Sequence, residues 1–215
     1  MKKTLAAFFL ALTLLTGGAA AFSDVDEGLY YAAPIAWAVE QGITTGTTED
    51  TFSPDALCTQ GQILTFLWRA AGAPAAEASP AAGSLNPDFQ KAISWALEAG
   101  ILDDGGGFDP SAFCSRGAAM GFLWRYAGTP AASAPNAFTD VDPNADYAQA
   151  AAWAVETGIT SGPSETTFSP GEICTRGQIA TFLYRCLNEA VPGEKVYFPE
   201  DPDPEIPDPE PEEIR

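Results

Sequence analysis

The sequence has no histidine, and only 10 of its 215 residues are lysine or arginine. Without histidine there is no Ser/His/Asp triad, no Cys/His dyad and no imidazole metal ligand. With so few bases against 29 acids the net charge is −19. That balance argues against nucleic acid and anionic membrane surfaces as partners. Apolar runs are scarce as well. The one that stands out covers Leu5 to Leu15, short of the ~20 residues a membrane span needs. No Asp-x-Asp-x-Asp-Gly calcium loop and no zinc-type cysteine spacing occurs, so neither metal nor cofactor is expected. Wholesale disorder is excluded on the other side, because 46% of the residues are hydrophobic.

What is present begins with an address. Lys2 and Lys3 precede the apolar run, and Gly17, Gly18, Ala19, Ala20 and Ala21 follow it with the small residues a signal peptidase cleaves after. Residues 1–21 therefore read as a secretory signal peptide; a retained amphipathic anchor is the alternative. No cysteine follows the run to accept a lipid. Cleavage would leave a chain starting near Phe22, with charge −21 and no membrane association.

Self-comparison sets the architecture of the remainder. Trp37, Trp95 and Trp153 are spaced 58 and 58 residues apart, and Cys58, Cys114 and Cys174 are spaced 56 and 60 apart. Phe52-Ser53-Pro54, Phe108-Asp109-Pro110 and Phe168-Ser169-Pro170 each begin six residues before a cysteine. Phe66-Leu67-Trp68-Arg69, Phe122-Leu123-Trp124-Arg125 and Phe182-Leu183-Tyr184-Arg185 follow at a fixed offset. Three repeats result, at 22–74, 84–130 and 138–190, joined by Ala/Pro/Ser-rich linkers near 75–83 and 129–137. The tail, 191–215, alternates proline with nine acids and is expected to be extended and disordered.

Each repeat reads as helix, loop, helix. Tyr31, Ile35, Ala38 and Val39 form a helical stripe that Gly42 ends, with Gly100 and Gly158 in the same role. A loop rich in Thr, Ser, Gly and acid leads to the Phe-x-Pro turn. The second helix opens on Thr59, an N-cap whose partner Gln62 completes a capping box; Thr175 and Gln178 repeat it, while Ser115 is followed by Ala118 and lacks the box. Ile63, Phe66, Leu67 and Ala70 line one face of the first such helix. One short helix pair cannot bury its own apolar face, but three packed together can.

These residues resemble the S-layer homology family. The first repeat shows Phe22-Ser23-Asp24-Val25, Gly42-Ile43-Thr44-Thr45-Gly46 and Phe52-Ser53-Pro54. The third shows Phe138-Thr139-Asp140-Val141, Gly158-Ile159-Thr160-Ser161-Gly162, Phe168-Ser169-Pro170 and Thr175-Arg176-Gly177-Gln178. The middle repeat lacks Phe-x-Asp-Val and the second glycine but keeps Gly100-Ile101, Phe108-Asp109-Pro110 and Ser115-Arg116-Gly117-Ala118. The resemblance implies a mainly α protein: three tandem helix-loop-helix repeats in a pseudo-threefold spindle around a central helical bundle. It implies grooves between repeats that bind an anionic secondary cell-wall polymer, often through a pyruvylated amino sugar, and hence a secreted, non-catalytic protein of the cell wall or S-layer. The family's ligand arginine falls on Arg116, Arg176 and, as a replacement, Gln60.

The residues offer their own reasons for such a role. An arginine just after an N-cap stands beside unpaired backbone N–H groups at the positive end of a helix, and its planar fork matches a carboxylate. Ser115 and Thr175 flank it. Gly117 and Gly177 would let a sugar ring approach, and Trp37, Trp95 and Trp153 could stack on it. Each has a structural alternative: surface ion pairs for the arginines, core packing for the tryptophans, a turn or cap for Asp24 and Asp140, and a structural or snorkelling place for Arg69, Arg125 and Arg185. Cys58, Cys114 and Cys174 read as small buried hydrophobes, and all four cysteines, Cys186 included, are expected to be reduced. A lattice protein with vestigial glycan sites, packing against neighbouring subunits, is the alternative function. A glycan hydrolase is disfavoured, because the acids of the loops fall at different places in each repeat.

Overall fold

The structure is a computed structural model and describes residues 22–77, 86–103, 108–134 and 137–189. The signal-peptide and acidic-tail readings, 1–21 and 191–215, lie outside the described residues. Six helices run in chain order: α1 Ala32–Glu40, α2 Gln60–Ala70, α3 Pro87–Glu98, α4 Arg116–Tyr126, α5 Ala148–Glu156 and α6 Arg176–Tyr184, the last followed by a π-helical turn at Arg185–Glu189. No extended strand forms among the described residues, and the protein is mainly α.

The helix starts follow from the caps. Thr59 accepts the Gln62 N–H at 3.3 Å, and the Gln62 Oε1 accepts the Thr59 N–H at 2.9 Å. Thr175 and Gln178 reproduce both bonds, while Ser115 accepts only the Ala118 N–H. The first helices end where Gly42, Gly100 and Gly158 turn left-handed, at φ 69°, 69° and 76°. The one-sided stripe expected of α2 is too narrow. Leu64, Thr65 and Trp68 are buried together with Ile63, Phe66 and Leu67, so the helix is enclosed nearly all round.

The main helix contacts join different repeats. α2 packs on α3, α4 on α5 and α6 on α1, with a further contact of α2 against α4. The backbone just before each second helix closes a ring: Cys58 N–H donates to the Cys174 carbonyl (2.9 Å), Cys174 to Cys114 (2.9 Å) and Cys114 to Cys58 (2.8 Å). Local periodicity shows that the repeats are equivalent. It does not show that each completes its packing on the next. None of the four cysteines is in a disulfide, and Cys58, Cys114 and Cys174 are fully buried. Burial pushes the Cys58 and Cys186 thiols up to about 12 and raises Cys114 further still.

Trp153 is buried in the main core. Trp37 and Trp95 are half-buried against it, Trp37 edge-on to Tyr184 at 5.4 Å and Trp95 tilted on Tyr126 at 6.2 Å. Trp37 and Trp95 thus each join two helices.

Candidate functional site

The Phe-x-Pro turn is the first component. Ser53 and Ser169 hold φ of 58° and 55°, a left-handed conformation uncommon for residues with a side chain. Two backbone N–H groups at each turn converge on one carboxylate. Phe52 and Ser53 donate to Asp24 at 2.8 and 2.7 Å; Phe168 and Ser169 donate to Asp140 at the same distances. Desolvation alone would raise the exposed Asp140 carboxyl, but the bonds from Phe168 and Ser169 together outweigh it and hold the group below the usual carboxylate range. Asp24 and Asp140 are thus turn clamps. Asp109 in the middle repeat caps its own turn by accepting the Ser111 N–H.

Each clamped turn presents a carbonyl to an arginine from another repeat. Arg176 Nε donates to Phe52 O at 3.0 Å, and its guanidinium lies over the rings of Phe52 (4.6 Å) and Phe66 (5.6 Å). Arg116 Nε donates to Phe168 O at 2.9 Å, with Phe168 and Phe182 at 5.1 and 5.5 Å. The two arginines are 4% and 7% exposed, so the surface ion-pair alternative does not describe them. They differ at Nη2. Arg116 Nη2 donates to the Thr160 hydroxyl at 2.6 Å. Arg176 Nη2 is buried and has no hydrogen-bond partner. Burial lowers the Arg176 pKa, yet a guanidinium stays charged at any physiological pH. An unmet N–H on a buried cation is costly, and an anionic acceptor would relieve it.

Beside Arg176 lies a groove of about 280 Å³, walled by the Thr44–Thr47 loop, Thr65, Phe66 and Arg69. Gly46 makes the loop possible. At φ 85°, a Cβ there would stand 2.6 Å from the Thr51 carbonyl and from the Phe22 ring. Arg69 donates to Ile43 O at 3.3 Å and pairs with Asp88 at 2.8 Å. It has the expected structural place and also faces the groove. In sequence, a ligand role for Arg69 is only the lesser alternative to a structural one, and the loop hydroxyls are unmarked. The Thr-rich segment inside Gly-Ile-x-x-Gly was the available signal. A second groove, about 330 Å³, sits at the middle repeat and is lined in part by Gln60, Ser115, Gly117 and Arg125. Neither groove is lined by Trp37, Trp95 or Trp153.

Two physical expectations are corrected. The helix N-termini do not offer unpaired N–H groups. Arg116 and Arg176 donate their own N–H to Glu172 O and Ala56 O, Gly117 and Gly177 donate to Pro170 O and Pro54 O, and the caps on Ser115 and Thr175 take the next ones. The glycines do permit a close approach, but of protein. A Cβ at Gly117 would meet the Tyr147 ring at 3.1 Å, and one at Gly177 the Tyr31 ring at 3.0 Å. Any anion affinity here comes from guanidinium groups and hydroxyls.

Compared with known proteins, residues 21–64 and 137–180 match the family model of the S-layer homology domain. The match covers most of the first and third repeats and leaves the middle one out, as its missing Phe-x-Asp-Val and second glycine would suggest. No curated protein matches the chain.

Proposed function

We propose that this protein is a non-covalent cell-surface anchoring module whose first-repeat groove holds an acidic residue of a cell-wall polysaccharide. S-layer homology domains are in general anchoring modules that bind cell-wall polymers. The observation that carries the acidic specificity is the buried, partnerless Nη2 of Arg176 at the edge of a hydroxyl-lined groove that also holds Arg69. A carboxylate, such as that of a pyruvate ketal on a secondary polymer, would accept from Arg176 Nη2, and Thr44, Thr45 and Thr47 would serve ring hydroxyls. Arg116 of the middle repeat takes the same pose against the third-repeat turn, with the Thr160 hydroxyl accepting from its Nη2. On this reading the protein is exported by residues 1–21, acts at the cell wall without catalysis, and comprises repeats 22–74, 84–130 and 138–190 with an extended acidic tail.

One observation favours the lattice alternative, in which the chain packs against neighbouring subunits. Leu57 and Phe113, at equivalent places in the closing ring, are 44% and 53% exposed.

The test is retention on purified cell-wall sacculi before and after acid stripping of the secondary polymer. The variants are Arg176→Gln and Arg116→Gln/Arg176→Gln. Glutamine is chosen because Gln60 already occupies this position in the first repeat. Loss of one charge-assisted bond, about 1.5–3 kcal/mol, should weaken retention by Arg176→Gln by roughly tenfold to a hundredfold. Binding that ignores both stripping and the variants would remove the anchoring reading.

A further inference from the structure

The two grooves are built from the same register of each repeat, so they can be compared position by position. Where the first-repeat groove has Arg176, the middle one has Gln60; Thr45 becomes Asp103 and Thr65 becomes Gly121, while Arg69 and Arg125 correspond. The exchange at Gly121 moves the cation. Thr65 spends its hydroxyl on Gly61 O at 2.8 Å, and Arg69 reaches across to Ile43 O. Opposite Gly121 there is no side chain, and the Arg125 guanidinium lies against the bare helix, 3.3 Å from where a Cβ would be.

The charge of the lining inverts between the two grooves. The first-repeat groove is lined by two arginines and no carboxylate. The middle groove is lined by one arginine, Arg125, and by two exposed carboxylates, Asp103 and Asp146. An acidic sugar would gain one cation there and meet two like charges, an arrangement that selects against it. Carboxylate, amide, hydroxyl and guanidinium together, against the apolar wall of Phe122 and Tyr147, are donors and acceptors for the hydroxyls of an uncharged ring.

We infer that the middle groove is a subsite of different specificity, which takes a sugar residue bearing no carboxylate while the first-repeat groove takes the acidic one. This rests on the anchoring reading above. The polymer is then gripped at two chemically distinct residues, and the second contact forms at the effective concentration set by the first.

The experiment uses the 15N-labelled protein and fragments of the purified wall polymer too short to span both grooves, in two forms, native and with every carboxylate capped as its methylamide. Backbone amides of Thr44–Thr47 report on the first groove, and those of Asp103, Ser115 and Gly117 on the middle one. Native polymer should shift both sets. Capping should weaken the Thr44–Thr47 response by at least about tenfold, one charge-assisted contact's worth, and leave the Asp103, Ser115 and Gly117 response within about twofold. The Gln60→Arg/Asp103→Asn variant should make the middle response depend on the carboxylate. If capping abolishes both responses alike, or the middle set is silent toward both polymers, the inference is overturned while anchoring through Arg176 stands. If neither set responds to native polymer, the anchoring reading fails and this inference with it.

Discussion

A single carboxylate decides whether an arginine is positioned. Asp140 holds Phe168 and Ser169 by their N–H groups, Ser169 sits in a left-handed conformation, and the Phe168 carbonyl fixes Arg116 Nε. The acid of Phe-x-Asp-Val is a positioning residue acting through a turn, and a turn role for it was readable from its place in the motif. What the motif did not show is that the arginine served belongs to another repeat, 24 residues before the acid in the chain. The Asp140 carboxyl is held low in the folded protein, so the stability it contributes is complete above the unfolded value near 3.9 and is lost as pH falls through the lower, folded value. Asp140→Asn should therefore lower the melting temperature at neutral pH and lose that difference in acid. Because the group is exposed, the two bonds are worth about 1 kcal/mol after solvent screening, or ~2–4 °C. Thermal melts of both proteins between about pH 7 and pH 3 check it. A constant difference across that range would show that the clamp does not titrate.

The second helices were the most legible elements, because their start signals are local. A Thr followed three residues later by Gln satisfies two backbone donors within one turn, and no distant contact is needed to read it. Thr175→Ala/Gln178→Ala removes both box bonds, the Thr175 hydroxyl accepting from the Gln178 N–H and the Gln178 Oε1 accepting from the Thr175 N–H, whereas Ser115→Ala removes one bond only. We expect about 1 kcal/mol for Ser115→Ala and a larger loss for the double variant, read as the order of the denaturation midpoints; equal losses would mean that the box adds nothing to the cap. The tryptophans were ambiguous for the converse reason. An aromatic at a helical position has the same sequence signature facing a ligand or facing a helix, and only the partner, Tyr184 for Trp37, settles it. The helix N-termini looked open in sequence because the carbonyls that fill them, Pro54, Pro110 and Pro170, come from another repeat.

For the molecule as a whole, charge and site pull in opposite directions. The chain carries −19 while its proposed ligand is acidic, so attraction is confined to the arginine-lined groove and repulsion is long-ranged. Salt screens the second far more than the first. Retention on wall polymer should thus strengthen, by about twofold or more, when ionic strength rises from ~10 mM to ~150 mM; a monotonic weakening would mean that exposed charge pairs dominate. The ring of bonds through Cys58, Cys174 and Cys114 has a different consequence. An open stack of repeats can grow or shrink by one unit at either end, because a new unit needs only one neighbour. Here the first and last units are each other's neighbours, and the seam is already shut. Duplication or loss of a repeat would therefore leave a unit without a partner, and the copy number is fixed by closure itself.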